Sequence, residues 1–454
     1  MLFTDADAFT SNQSTASNAN VNFFKSTTGD TINLGGGRNR VNAATNLTSS
    51  SIYALDGSDT VRIGGKADNT NLSLGAGNDQ LTIGLSSSAV NAYLGEGQDN
   101  ALFQGKLIAS PLPTQLSSSF NGSSGPSVID MGADNDRATF LGGVSGGQVG
   151  YQVDLGYGND TAIFGGNSIS DGFTLDTGSG ADSVLLGRNT THAYLFLGWE
   201  ADPTNNLLGD TVVLGAGASI SDSTISSRQS SDLISLAGTI NNTDLLLGDS
   251  GGATVNVSGT ASFISDSTTI AGSPQNSPNV WDFGNGDDNL IFSSQSSLLG
   301  SGDQVGYVTL GLGADRLELN GVGFSDPGGV TFDLGSDQDA DTLVFASNTY
   351  SGITISNFGT EDILYIGKGM YGYGYQLLNN EANLYDLGNF QASNNVIWAQ
   401  QPDSGLQDVM TLDSALVNSE VEDPIVTSML ADKSQWSTYE SNLPSNNHFY
   451  SRST

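Results

Sequence analysis

The chain has 454 residues, including 59 glycines and no cysteine, and its 48 acidic against 13 basic side chains give a formal charge of −35. This charge disfavours nucleic acid and anionic membranes as partners, because both attract positive surface, and it favours cations. The lack of cysteine excludes disulfides and thiol catalysis, and no apolar run approaches the ~20 residues of a membrane-spanning helix.

Residues 1–20 are polar and rich in Ser, Asn and Thr. They contain neither a basic segment nor an apolar segment of a secretory leader, so we predict no cleavable N-terminal signal peptide. We predict instead that residues 1–20 form a loose polar arm. Residues 21–24, Val-Asn-Phe-Phe, predict the first strand, which covers the end of the structure that follows.

Residues 21–369 repeat one pattern, in which a tight turn ends in Asp or Asn and apolar residues follow two and four positions later. In residues 155–166, for example, Gly156 and Gly158 precede Asp160, and Ala162 and Phe164 follow it. Alternation with period two is typical of strands with one buried face. The acidic or amide residue of this pattern is Asp30, Asn39, Asp59, Asp79, Asp99, Asp136, Asp160, Asp182, Asp210, Asp232, Asp288, Asp315, Asp341 or Asp362.

The spacing of these turns predicts the fold. Asn39, Asp59, Asp79 and Asp99 are evenly spaced, and the intervals that follow are longer and unequal. A repeat of roughly 20 residues fits two short strands and two turns, so we predict an all-β fold, a flattened parallel β-solenoid or β-roll of about 14–16 coils. Insertions then collect on the edge opposite the Gly-Asp turns, the largest between Lys106 and Ser127. Degenerate coils are expected at residues 245–249 and 265–267.

The composition changes after Gly369, where tyrosines and tryptophans become frequent. We therefore divide the chain into the arm 1–20, the solenoid 21–369 and a C-terminal module, 370–454. The spacing of apolar residues predicts short helices over 406–416 and 425–442. This module is expected to cap the solenoid, to mediate assembly or to contain a secretion signal.

The turn residues suggest a site for a hard cation such as Ca²⁺, which takes six to eight oxygen ligands from carboxylates and carbonyls. A Gly-x-Gly-x-Asp turn supplies both, and two turns stacked about 4.8 Å apart can hold an ion between them. The candidate acidic ligands are Asp59, Asp79, Asp99, Asp136, Asp160, Asp182, Asp288, Asp315 and Asp341. The candidate carbonyl ligands are Gly75, Gly77, Gly95, Gly97, Gly156, Gly158, Gly178, Gly180, Gly284, Gly286, Gly311 and Gly313. The alternative is a plain tight turn in which Asp caps its own backbone.

These turns resemble the RTX (repeats-in-toxin) family, whose Gly-Gly-x-Gly-x-Asp-x-U-x nonapeptides build calcium-binding β-rolls. The resemblance covers residues 29–369, and residues 355–364 look like the coil that ends many such blocks. It implies a ligand role for Asp79, Asp99, Asp160, Asp182, Asp288 and Asp315. It also implies a bacterial protein exported by type I secretion, with its uncleaved signal within residues 420–454.

The sequence departs from the RTX pattern in three respects. Leu, Phe or Thr replaces the first glycine, and the motif recurs at most once per coil instead of in consecutive nonapeptides, so only one edge is expected to bind ions. Asp134 replaces the second glycine before Asp136. An extra residue separates Gly335 from Asp341, so both of these sites are expected to be altered.

The function predicted from these features is structural. With two histidines and no nucleophile motif, an enzyme is not expected, and the scarce Lys and Arg argue against a polysaccharide lyase. Arg38, Arg40, Arg62, Arg137 and Arg316 adjoin turns and are expected to neutralise the acidic edge. We predict a secreted, calcium-stabilised protein of the bacterial cell surface that assembles with itself into a filament or an S-layer-like sheet.

Two alternatives stay open. The first is an adhesion or receptor-binding module for a cell-surface carbohydrate, which would use the aromatic C-terminal region. The second is binding of ice or carbohydrate on a flat face of the solenoid. An ice-binding face needs regular ranks of Thr, whereas the outward residues of successive coils are mixed, as at Arg62, Thr82, Leu102 and Thr139.

Overall fold

The computed structural model describes residues 18–109, 127–146, 150–166, 172–198, 209–227, 231–248, 251–263, 280–293, 306–320, 330–337, 339–345 and 353–357, together with the strands outside these ranges given below. The described residues contain strands and turns but no helix, as an all-β fold requires. They divide into two compact units, Met1–Ser227 and Arg228–Thr454.

The strands of the first unit are short and follow one another closely. They are β1 Leu2–Phe3, β2 Thr10–Asn12, β3 Asn20–Phe23, β4 Thr27–Thr28, β5 Thr31–Asn33, β6 Arg40–Ala43, β7 Leu47–Thr48, β8 Ser51–Tyr53, β9 Thr60–Ile63, β10 Ala67–Asp68, β11 Thr70–Ala76, β12 Gln80–Ile83, β13 Ser87–Ser88, β14 Val90–Glu96, β15 Asn100–Phe103, β16 Leu107–Ile108, β17 Ser127–Ala133, β18 Arg137–Phe140, β19 Val144–Ser145, β20 Tyr151–Asp154, β21 Thr161–Phe164, β22 Ile169–Ser170, β23 Phe173–Asp176, β24 Ser183–Leu186, β25 Thr190–Thr191, β26 Ala193–Leu197, β27 Thr211–Leu214 and β28 Ser219–Ser227.

The second unit continues the numbering. Its strands are β29 Leu233–Leu236, β30 Thr239–Leu246, β31 Thr254–Val257, β32 Thr260–Phe263, β33 Val280–Asp282, β34 Asn289–Phe292, β35 Ser297–Gly300, β36 Gly306–Thr309, β37 Arg316–Leu319, β38 Gly323–Phe324, β39 Val330–Asp333, β40 Thr342–Phe345, β41 Ile353–Ser356, β42 Ile363–Ile366, β43 Tyr373–Leu378, β44 Glu381–Asp386, β45 Val396–Gln401, β46 Gly405–Leu412, β47 Trp436–Thr438 and β48 His448–Arg452.

The first unit is a parallel β-solenoid, as predicted. Its first sheet stacks one strand per coil in the order β1-β3-β6-β9-β12-β15-β18-β21-β24-β27. A second sheet runs from β2 and β5 through β8, β11, β14, β17, β20, β23 and β26 to β28. Short strands form the corner between them, for example β13, β16 and β19. From β8 to β23, the Gly-Asp turn joins each second-sheet strand to the next strand of the first sheet.

The core forms because the alternating pattern repeats once per coil. Strand β12 buries Leu81 and Ile83 and turns Gln80 and Thr82 outward. In parallel register Leu81 lies beside Val61 of β9, so like positions stack above one another. The phenyl rings of successive coils stack in the same way: the ring centroids of Phe103 and Phe140 are 5.0 Å apart, and those of Phe140 and Phe164 are 4.8 Å apart.

The second unit repeats this arrangement and then changes it. Strands β29-β31-β34-β37-β40-β42 form a parallel sheet, and β33, β36, β39 and β41 form another. Strand β46 pairs parallel with β41 but antiparallel with β45. Strands β44, β43, β48 and β47 make a separate antiparallel sheet.

The helix predicted over residues 406–416 is wrong, because Gly405–Leu412 is strand β46. The backbone there pairs antiparallel with β45, a long-range interaction that local periodicity does not reveal. In the segment 425–442, where a second helix was predicted, residues 436–438 form strand β47, and the remainder lies outside the described residues. The boundary predicted at residue 370 stays a prediction.

Two other segments bear on the predicted boundaries. Strands β1 and β2 lie inside the predicted polar arm and pair in parallel with β3 and β5. The large insertion begins after β16 and ends at Ser127 of β17, on the side away from the Gly-Asp turn, as expected. Its residues 110–126 lie outside the described residues, as do Asp249, residues 265–267 and Asp362.

Candidate metal centre

The Gly-Asp turns require glycine for steric reasons. Gly75 and Gly77 have φ values of 96° and 143°, in the left-handed region that side chains disfavour. A Cβ atom at Gly75 would also lie 1.8 Å from the carbonyl oxygen of Leu55 in the preceding coil. All twelve glycines predicted as carbonyl ligands have positive φ.

The Asp residues that end these turns form a hydrogen-bonded ladder through Oδ1. The backbone N–H of Asp59 donates to Oδ1 of Asp79 at 2.6 Å, and that of Asp79 donates to Oδ1 of Asp99 at 2.7 Å. In the first unit Asn39, Asp99, Asp136, Asp160 and Asp182 donate likewise to the ladder residue that follows each of them. In the second unit Ala253, Asp288 and Asp315 donate to Asp288, Asp315 and Asp341 respectively.

Where Asn precedes the Asp, its side chain makes a second ladder in the opposite direction. Oδ1 of Asn78 accepts a hydrogen bond from the backbone N–H of Gln98 in the next coil, at 3.1 Å. Oδ1 of Asn135 accepts from Asn159 at 2.8 Å, and that of Asn159 from Ala181 at 2.9 Å. The Asn-Asp pairs at residues 78–79, 135–136 and 159–160 therefore bind their turns to the neighbouring coils on both sides, independently of any ion.

The second carboxylate oxygen, Oδ2, is buried and has no hydrogen-bond partner at eight ladder positions. These are Asp59, Asp79, Asp99, Asp136, Asp160, Asp182, Asp288 and Asp315. Asp79 and Asp160 are each 1% exposed. An isolated buried carboxylate is strongly unfavourable, so each group needs a proton or a cation at Oδ2.

Burial raises the pKa of every one of these carboxyl groups, and neighbouring carboxylates raise most of them further. The pKa is about 6 for Asp59, about 7 for Asp79, Asp99, Asp160 and Asp288, about 8 for Asp136, and about 9 for Asp182 and Asp315. The backbone N–H that binds Oδ1 opposes this rise but does not cancel it. Protons therefore compete with any cation for these oxygens near neutral pH.

The donor set fits a hard cation if backbone oxygens contribute. Among the described residues, no group of three or more His, Cys, Asp and Glu side chains converges on one point. Each turn instead supplies one carboxylate oxygen and the carbonyls of its glycines, which are the ligand types that Ca²⁺ accepts.

All nine predicted acidic residues lie in the ladder, including two from irregular turns. Asp134, which replaces a glycine, has a φ of 77° and so keeps the turn that delivers Asp136. Asp341 accepts from Asp315 although its turn is longer than the regular one. The repeat pattern includes Asp210 among the turn residues, but Asp210 is not among the candidate ligands, although it accepts from Asp182 at 2.8 Å. Its turn lacks the Gly-x-Gly motif that precedes most of the candidate ligands, and a long interval separates it from Asp182.

Asp30, which the repeat pattern grouped with these turns, lies elsewhere. It directly precedes β5 of the second sheet, and its N–H donates to Oγ of Ser50, which directly precedes β8. This is the corner opposite the Gly-Asp turn. The sequence already indicates this position, because Asp30 and Asn39 are separated by only about half a coil. Arg316, expected to neutralise the acidic edge, pairs with Glu318 at 2.5 Å.

Comparisons with known proteins add little to these observations. No family model matches the chain, and no curated protein matches it. A solved structure with detectable similarity is a hyperactive, Ca²⁺-dependent, beta-helical antifreeze protein from an Antarctic bacterium. It is 16% identical, the match covers 77% of this chain and 83% of that one, and the TM-score is 0.33. That score is too low to support an argument, and the likeness to RTX repeats stays a resemblance.

Proposed function

We propose that the chain is a calcium-stabilised structural β-solenoid without catalytic activity, in which the Gly-Asp turns bind ions along one edge of each unit. The observation that supports this most directly is the set of buried Oδ2 atoms without partners. Each such oxygen has a counterpart in the next coil, because Oδ1 of the same carboxyl group holds the ladder in register. Carboxylates stacked one per coil, about 4.8 Å apart, repel one another unless cations lie between them.

Calcium suits this arrangement better than a smaller ion. Mg²⁺ demands a near-ideal octahedron and releases its water reluctantly, whereas Ca²⁺ accepts irregular sets of carboxylate and carbonyl oxygens. Calcium-binding modules outside cells have dissociation constants of roughly 10⁻⁴–10⁻³ M. A surface role outside the cell, as the RTX resemblance implies, would keep such sites filled, and we propose that location.

The test is thermal unfolding followed by circular dichroism at pH 8, in calcium and in excess chelator, with magnesium as the ionic control. Binding to the folded state alone raises its stability, so the chelator should lower the melting temperature or remove the β signal. Only calcium should restore it. Equal melting curves in all three buffers would contradict a calcium role.

A pair of variants locates the effect. Asp160→Ala removes a ladder carboxylate with ladder neighbours on both sides, whereas Asp30→Ala removes an equally buried carboxylate at the opposite corner. Titration calorimetry should show fewer calcium equivalents for Asp160→Ala and the wild-type number for Asp30→Ala. Equal losses in both variants would mean that the ladder is not the binding site.

A further inference from the structure

Asn39 occupies the ladder position that Asp occupies in the following coils. Its N–H donates to Oδ1 of Asp59 at 2.6 Å, and its own Oδ1 accepts from the N–H of Ala19 at 3.0 Å. Its side chain therefore has the orientation of the Asp carboxylates, with Oδ1 bonded to the preceding coil. The remaining atom, Nδ2, takes the place that Oδ2 takes at Asp.

Nδ2 of Asn39 donates to two carbonyl oxygens of its own turn. These belong to Gly35, at 2.8 Å, and to Gly37, at 3.0 Å. The two glycines precede Asn39 by four and two residues, as Gly75 and Gly77 precede Asp79. Oδ1 of Asp79 accepts a backbone N–H from the preceding coil just as Oδ1 of Asn39 does. The position of the Asn39 amide donor is therefore taken at Asp79 by an acceptor, Oδ2, which is buried without a hydrogen-bond partner.

We infer that the Asn39 turn binds no calcium, since its amide closes the carbonyl pair that an ion would otherwise bridge. This rests on the proposed function and deepens it: the choice of Asp or Asn at the ladder position decides whether a turn takes an ion. Asn39 thus ends the ion column of the first unit, and the coil around it is stable without metal.

Two substitutions test this, with calcium counted by equilibrium dialysis and metal analysis. Asn39→Asp should add about one calcium equivalent to the wild-type number. Asp79→Asn should remove about one and should raise the melting temperature in chelator, because the new amide donates to both carbonyls. Asn42→Asp is the matched control: it adds the same charge on the same coil but from an outward position of β6, and should leave the count unchanged.

The outcomes separate the two proposals. A wild-type chain that binds no calcium would overturn the proposed function and this inference together. A wild-type chain that binds calcium, with an unchanged count in both Asn39→Asp and Asp79→Asn, would overturn the inference alone. If Asn39→Asp does not fold, the count and the chelator melting temperature of Asp79→Asn decide.

Discussion

At the residue scale, each ladder Asp has two distinct roles. Oδ1 accepts a backbone N–H from the preceding coil and holds the register. At the eight ladder positions named above, Oδ2 is buried without a hydrogen-bond partner and needs a positive charge or a proton. The first role would select Asp or Asn equally, as Asn39 shows. The second role separates them, because only the carboxylate provides an anionic ligand.

The pKa values predict how the metal-free chain responds to pH. In chelator, the folded pKa values of about 6 for Asp59, 7 for Asp79 and 9 for Asp182 exceed the value of 3.8 for an unburied Asp. At pH values between 3.8 and the folded pKa of each group, the folded state binds more protons than the unfolded state. The free energy of unfolding therefore falls as pH rises. We expect the melting temperature in chelator to fall progressively from about pH 4 to pH 9.

Calcium should reverse this trend, because the ions displace protons and bind better as pH rises. Melting temperatures measured in parallel in calcium and in chelator therefore diverge with increasing pH. Asp30→Ala, which leaves the ladder intact, is the control and should behave as wild type. Curves that stay parallel across this pH range would show that protons and calcium do not share the Oδ2 position.

At the element scale, strands are stabilised by stacks of identical positions. Phe103, Phe140 and Phe164 are buried on β15, β18 and β21, and their rings stack with interplanar angles of 8° and 6°. Offset-stacked aromatic pairs add about 0.5–1.5 kcal/mol each beyond the burial of their area. The middle ring contributes to two such pairs, so this column links three coils.

Replacing the middle ring should be more damaging than an outward change on the same strand. We expect Phe140→Ala to lower the free energy of unfolding by about 3–5 kcal/mol, through lost burial and a cavity. Thr139→Ala, which faces outward on β18, is the control and should change it by less than about 1 kcal/mol. Urea unfolding in calcium measures both. Similar midpoints for the two variants would contradict a stabilising role for the aromatic stack.

At the scale of the whole molecule, the outermost strands of each unit are the edges at which another chain could pair. In the described part of the first unit, β1 is the outermost strand of the first sheet and pairs with β3. In the second unit, β42 is the outermost strand of its sheet and pairs with β40. Exposed strand edges offer unpaired backbone groups to other chains. We therefore retain self-assembly into a filament or sheet as a prediction.

Among the described residues there is no helix long and apolar enough to cross a membrane.

Deleting residues 1–17 tests this prediction, because it removes β1 and β2 and uncovers the edges of β3 and β5. Head-to-tail contacts that do not close produce open polymers. We expect the full chain to sediment as oligomers in calcium and the deletion variant to show a different distribution of sizes. A full chain that stays monomeric at high concentration would refute self-assembly, and an unchanged distribution would exclude a role for residues 1–17.

The sequence by itself determined the parallel solenoid, its repeat of one Gly-Asp turn per coil, and the positions of nine of the Asp residues that lie in the ladder. It did so because these features are local and recur: alternation sets the buried face, and glycines with positive φ mark each turn. Asp136 and Asp341 lie in the ladder even though their turns are irregular, and the apolar residues after each of them keep the pattern by which the sequence marks them.

Only the tertiary structure decided features that depend on residues far apart in the chain. Asp210 enters the ladder through the N–H of Asp182, which lies 28 residues earlier. Asp30 lies at the opposite corner, where its N–H donates to Ser50, 20 residues later. The antiparallel pairing of β45 and β46 replaced a predicted helix. The role of Asn39 also depends on the tertiary structure, because the sequence alone does not distinguish an Asn that closes its turn from an Asn that binds a metal weakly. Its hydrogen bonds to the Gly35 and Gly37 carbonyls depend on a side-chain orientation that the neighbouring coils impose.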